Sequence, residues 1–507
     1  MRAKKAFKNT VWGLVYEVVM LVCGFILPRL ILTSFGSKYN GVTSAITQFL
    51  QVIALFQAGI GGVTIAALYK PLNEKNIERI SIIVKTSESF LRKVVLIFAG
   101  VSLLVACGYP FLVSKDFDWF FTASLVIIIS FSTFAQYFFG QTYQFLLKAD
   151  QLQSVLHIVN SLKVIASTGI SALMIYMGFG IREVKLGSAV AFIIAPLFLY
   201  FYTRKKFKIL PHVKKDYTIL KQRWDNFGTQ TANFVTRNTD LVILSIFSNV
   251  YEISVYSIYN MITNGIFAMF SPFVNGVAAA FGSMIAKDEH ELLHKNLRLY
   301  EQLVFMLATF LFGVSAAAIL SFVKIYVKGV TDVNYIRPVF AYVFIISTFF
   351  QSVRYPYVGI TQAAGHFRPM RNPAFIEAGI NIGLSVVLVF KFGIVGVIIG
   401  TLFAYVYRTV RYAIYLSQNI IQRSIMIFVK RVMLSLVCIL IIVVISHFLP
   451  LPSAKNYFIW GGNVVIISTV ALILTLTVEL LFYRDDLKDI TKMAKGILRK
   501  RRQTNSF

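Results

Sequence analysis

ILTSFGSKYNGVTSAIT, residues 31–47, lies over ILSIFSNVYEISVYSIY, residues 243–259, about 212 positions further on. Ile31, Leu32, Phe35, Tyr39 and Ile46 meet Ile243, Leu244, Phe247, Tyr251 and Ile258. After a two-residue gap Gly62-Val63 meets Gly276-Val277. In each copy an apolar run ends, a short polar hairpin follows and a second run begins. A repeat on this scale points to duplication of a whole lobe.

The rest of the chain fits that reading. Of its 507 residues 57% are hydrophobic and only 14% charged, with a mean hydropathy of +0.71; ordinary soluble domains carry about 25% charged residues. Apolar runs of about 20 residues recur along the sequence, as in membrane-spanning helices. They predict an all-α polytopic membrane protein with about 14 transmembrane helices. The first six expected spans run Asn9–Leu32, Val42–Leu68, Phe90–Val113, Phe120–Leu146, Leu152–Met177 and Val184–Thr203. A basic connector follows, and then Phe227–Phe247, Ile253–Ala286, Leu303–Val327, Val339–Ala363, Ala374–Phe390 and Ile394–Leu416. Val429–Leu449 and Phe458–Leu481 complete the set. The expected organisation is a six-helix lobe over 1–203, a cytoplasmic connector over 204–224, a second six-helix lobe over 225–417, and two further helices with a basic tail over 418–507. An even number of spans per lobe makes the two lobes parallel repeats about an axis along the membrane normal.

The net charge of +28 sits mainly in short loops. With both termini cytoplasmic, about 37 of the 50 Lys and Arg fall on the inner side and about 10 on the outer side, as the positive-inside rule requires. No groove-reading motif accompanies the charge, so nucleic acid is not an expected partner. Cys23, Cys107 and Cys438 are scattered through apolar runs and read as small packing residues rather than a disulfide framework or metal cluster. The basic N-terminus precedes a span-length run with no small-residue cleavage site, and that run is expected to remain as the first span.

NTVWGLVYEVVMLVCGFILPRLILTSFGS (9–37), NGVTSAITQFLQVIALFQAGIGG (40–62) and AALYKPL (66–72) resemble polysaccharide flippases of the multidrug/oligosaccharidyl-lipid/polysaccharide exporter superfamily. The specific resemblance is to bacterial Wzx-type transporters, and the span pattern extends it across the chain. It implies two helical lobes facing each other across a central cavity that opens alternately to each side of the bacterial cytoplasmic membrane. It also implies a polyprenyl-pyrophosphate-linked sugar as substrate, with a polysaccharide polymerase and glycosyltransferases as partners, and no cofactor. Two readings share the superfamily: a peptidoglycan lipid-precursor flippase and a cation-coupled multidrug exporter. A membrane sugar polymerase or glycosyltransferase is the alternative of another class, and the shortness of the outer loops counts against it.

An ionisable side chain inside a span costs about 2.5–3.5 kcal/mol on insertion scales and normally faces a cavity or a partner. Arg237, Arg354 and Lys163 are the leading candidates to hold a pyrophosphate, because fixed cations replace the counterions and hydration it loses. Arg29 follows Pro28 near the end of the first span, where it either lines the cavity or snorkels. Gln48, Gln51 and Gln57 stud the second span, and Asn260, Asn264 and Asn275 the equivalent eighth. Amides donate to and accept from sugar hydroxyls, and they also join helices to one another. Glu17 and Asp240 are candidates for ion coupling, although Arg237 and Asp240 are also spaced to neutralise each other along a helix. The last two spans read as apolar with almost no internal charge, a surface suited to an isoprenoid tail.

Two sharper-looking motifs carry no chemistry in this context. His290-Glu291-Leu292-Leu293-His294 matches H-E-x-x-H, but it falls in a charged loop helix without a third ligand or an enclosing cleft. Asp116-Phe117-Asp118 resembles a D-x-D but reads as a turn. No phosphate-cradling G-x-x-x-x-G-K-[ST] loop occurs, so direct use of ATP is not expected.

Overall fold

The computed structural model describes residues 2–51, 53–219, 227–275, 281, 284–285, 287, 289–366 and 368–489. The described chain is helical and divides into two compact units. The first comprises Met1–Met261 with Gly329–Val333; the second comprises Ile262–Lys328 with Asn334–Phe507.

The first unit contains α1 (Arg2–Phe35), α2 (Ser37–Leu50), α3 (Ile53–Asn73), α4 (Ile77–Leu112), α5 (Trp119–Ala135) and α6 (Gln141–Ala149). It continues through α7 (Gln153–Tyr176), α8 (Ile181–Phe207), α9 (Phe227–Phe247) and the first part of α10 (Val250–Asn275). A π-turn over Gln136–Gly140 joins α5 to α6. Helix α7 packs between α1 and α8, and α4 against α3 and α5. Leu68, Ile80, Ile83, Val84, Tyr143 and Leu146 fill the junction of α3, α4 and α6. The basic connector begins as helix, since α8 runs on to Phe207. Beyond it the chain docks on α4: the Leu210 amide donates to Ser81 Oγ, the Asp216 amide to Thr86 Oγ1, and Arg79 pairs with Asp216 at 3.3 Å.

The second unit takes the remainder of α10, then α11 (His290–Tyr326), α12 (Pro338–Val353), α13 (Tyr355–Ala363), α14 (Arg371–Phe392), α15 (Ile394–Asn419), α16 (Met426–Phe448) and α17 (Tyr457–Phe482). Helices α14 and α15 form an antiparallel hairpin about Gly393, whose φ of 55° suits a residue without Cβ. Helices α12 and α13 are one expected span interrupted at Arg354. Pro356 explains the break, because it supplies no amide to continue the helical ladder. Helices α16 and α17 lie against α11, with Cys438, Ile442 and Ala471 packed at the contact.

The burial pattern identifies the solvent. Thr86, Ser87 and Asn381 are fully buried, whereas Leu104 is 74% exposed and Phe458 92%. In water this arrangement would expose large apolar patches while hiding polar groups. In lipid it is the expected one: apolar side chains meet acyl chains, and small polar ones bond inside the bundle. Among the described residues, ten helices are long and apolar enough to cross a membrane. Within the described residues the other four expected spans are helical as well, over α2–α3, α9, α10 and α12–α13. The chain is an all-α multi-pass membrane protein.

Candidate functional site

In the first unit the two stretches aligned by the repeat pack against each other. Asn40 on α2 donates to Ser254 Oγ at 2.8 Å and to Ser257 Oγ at 3.1 Å on α10. A Cβ on Gly41 would overlap the Val250 carbonyl oxygen, so only glycine permits this approach. Asp332 clasps the start of α2, accepting from the Ser37 amide at 2.7 Å and from Ser37 Oγ at 2.5 Å. Further along, Gln48 Nε2 donates to Asn238 Oδ1 on α9. Replacing Gly41 with Ala is expected to lower stability by about 1–3 kcal/mol, the usual cost of overpacking; thermal unfolding of the purified protein measures it. Gly62-Val63 lies in α3, whereas Gly276-Val277 lies outside the described residues.

Arg237 is exposed on α9, and among the described residues it has no ion pair or hydrogen bond. Its expected neighbour Asp240 is buried and accepts from the Tyr256 hydroxyl at 2.6 Å, so helical spacing does not join the two. Lys163 points into the α7–α8 seam, with its ammonium 4.8 Å from the Phe192 ring centroid. Arg29 and Asn260 are half-buried and engaged with neighbours; Asn264 is exposed and also engaged. Gln51 and Glu17 are exposed. The side chains of Gln57, Asn275 and His290 lie outside the described residues.

In the second unit Arg354 is not free. Its Nη1 donates to Glu377 Oε1 at 2.6 Å, while Arg408 Nη1 bonds the other oxygen, Oε2. Glu377 is 1% exposed, and the Arg354 guanidinium stands 5.5 Å from the Tyr405 ring centroid. One buried carboxylate thus lies between two guanidiniums. Sequence reasoning did not include Glu377 or Arg408, although a signal existed. The two lie at nearly equal distances along the chain from Gly393, so they come level when α14 and α15 fold back on each other.

A larger ionic cluster joins the last two helices to α11, and buried Arg431 on α16 and Glu479 on α17 qualify the expectation of almost no internal charge there. Arg423 grips Glu301 with both Nη atoms, one at 2.7 Å. Arg431, on α16, lies 3.4 Å from Glu301 and 3.6 Å from Asp486. Arg298 bonds Asp486 at 2.8 Å and reaches Asp489 at 4.0 Å. Burial pushes the Asp486 carboxyl above its usual range, against the opposing pull of Arg298 and Arg431. Glu479, on α17, is buried beside Gln302.

Of the motifs set aside, Asp116-Phe117-Asp118 has a structural role. Asp118 caps α5, accepting from the amides of Phe120 at 2.9 Å and Phe121 at 3.2 Å, and Asp116 pairs with Lys38 at 3.6 Å. Among the described residues no group of three or more His, Cys, Asp or Glu is placed to hold a metal.

No family model and no curated protein sequence matches the chain. Solved structures do. A lipid II flippase MurJ in an inward closed conformation superposes with a TM-score of 0.68 at 17% identity, covering 94% of this chain and 99% of that one. An inward-facing multidrug resistance MATE family transporter of the MOP superfamily gives 0.60 at 13% identity, over 80% of this chain and 95% of its own. The MATE multidrug transporter DinF-BH gives 0.56 at 14%, over 82% and 95%. The chain therefore has the fold shared by MurJ and the MATE transporters of the MOP superfamily.

Proposed function

We propose that the protein is a secondary transporter that flips polyprenyl-pyrophosphate-linked oligosaccharide repeat units across the cytoplasmic membrane for surface polysaccharide export. It works by alternating access between two lobes, with both termini cytoplasmic. The observation that carries this reading is the cationic balance at two of the polar sites within the spans. Arg237 is exposed on α9 without a carboxylate partner among the described residues, and the Arg354–Glu377–Arg408 group holds two guanidiniums to one carboxylate. An exporter of organic cations would need the opposite balance; an anionic pyrophosphate needs this one. Arg237 is the proposed phosphate contact, Arg354 a cation held in place by Glu377, and Gln51 the amide offered to sugar hydroxyls. A second reading, a peptidoglycan lipid-precursor flippase, draws on the likeness to MurJ and shares the lipid-pyrophosphate chemistry.

Alternation requires the Asn40–Ser254 contact to open on the outer side. A variant lacking Cys23, Cys107 and Cys438 and carrying Asn40→Cys with Ser254→Cys is expected to lose export when a short, cleavable bifunctional thiol reagent links the pair. Cleaving the linker should restore it. Undiminished surface polysaccharide with the pair linked would contradict the mechanism.

A further inference from the structure

Where α11, α16 and α17 meet, a cavity of about 20 Å³ is lined by Gln302, Thr309, Arg431, Cys438, Thr475 and Glu479. It has room for about one water. The ionic cluster around it is unbalanced. Arg298, Arg423 and Arg431 make their ion pairs with Glu301, Asp486 and Asp489. Glu479 is the fourth carboxyl, only 5% exposed, and among the described residues it has no ion pair. Lys430 does not supply one: its ammonium stands over the rings of Phe482 and Tyr483, 5.5 and 5.6 Å from their centroids. The remaining titratable groups lining the cavity are Cys438 from α16 and Tyr483 at the end of α17, while Tyr357 from α13 stands by Glu301. None of them is a cation.

The cation nearest to hand, Arg431, lines the same cavity but makes its ion pairs with Glu301 and Asp486; a buried carboxylate so weakly compensated is unstable, and taking up a proton removes the charge. Gln302 suits both forms. Its Nε2 donates to a Glu479 oxygen while its Oε1 is buried without a partner. Turned over, the same amide would accept from a protonated carboxyl.

We propose that Glu479 is a proton-binding site, and that uptake and release there couple a proton gradient to transport. The coupling rests on the transporter reading above; the proton site does not. The test is infrared difference spectroscopy of the full-length protein in lipid bilayers across pH, wild type against Glu479→Gln. The wild type should show a carboxylic-acid carbonyl band at neutral pH that disappears on alkalinisation and is absent from the variant. Coincident spectra would mean an ionised Glu479 and overturn the proposal, whatever the protein transports. If Glu479→Gln does not fold, Glu479→Asp keeps a titrating group and should shift the band, whereas an unmoved band assigns it elsewhere and overturns the proposal. In vesicles with an imposed pH gradient, folded Glu479→Gln should export at least tenfold more slowly. Gradient-driven export at the wild-type rate would overturn the coupling role.

Discussion

Replacing Glu377 with Gln should cost about 3–5 kcal/mol of stability, the range seen when one partner of a buried ion pair is removed. The carboxylate is 1% exposed and receives Arg354 and Arg408 on its two oxygens. Glutamine keeps the shape but leaves two guanidiniums without an anion between them. Because the group ties α14 to α15 and to the junction of α12 and α13, the loss should appear as a lower unfolding temperature and less monodisperse protein in detergent. Adding Arg408→Met to Glu377→Gln removes one stranded cation and should recover part of the loss. A single variant that melts with the wild type, or a double variant no better than the single, would show that the group is not holding these helices together. The pair also separates two roles of Arg354. If Glu377 only anchors it, a refolded double variant should regain export along with stability.

Arg237→Ala should have the larger effect on function and a small one on folding. The side chain is exposed and has no partner among the described residues, so truncation strands no other group there. Surface substitutions of this kind usually change stability within about 0.5 kcal/mol. Export should nevertheless be abolished, because a pyrophosphate leaving the headgroup layer needs a fixed cation in place of its counterions. Membrane-inserted Arg237→Ala with normal surface polysaccharide would exclude a necessary role for Arg237.

Several features of the fold could be read from the sequence because they depend on local chemistry. Apolar runs matched to bilayer thickness gave the helices. Pro356 accounts for the break at Arg354, and the aligned stretches at residues 31–47 and 243–259 mark the place where α2 and α10 come together over Gly41. What the sequence concealed is rotational. Spacing along one helix sets depth, but which faces meet is decided by packing between helices. Hence Arg237 and Asp240, three apart on α9, are not partners, while Asp240 is satisfied by Tyr256 from the next helix. For the same reason Glu377 and Arg408, distant in sequence, share one ion-paired group. Arg431 and Glu479 lie close to span ends, where sequence alone suggests the headgroup region, yet both are buried against α11. These two charged groups are enclosed in the bundle, while much of the exposed surface of the last two helices is apolar.

The most direct test is flipping of a fluorescent polyprenyl-pyrophosphate-linked oligosaccharide in vesicles reconstituted with purified protein. Wild-type vesicles should move the lipid between leaflets faster than protein-free ones, and Arg237→Ala vesicles should match the protein-free rate. Equal flipping by wild type and Arg237→Ala, or none by either protein while an organic cation is exported instead, would contradict the account.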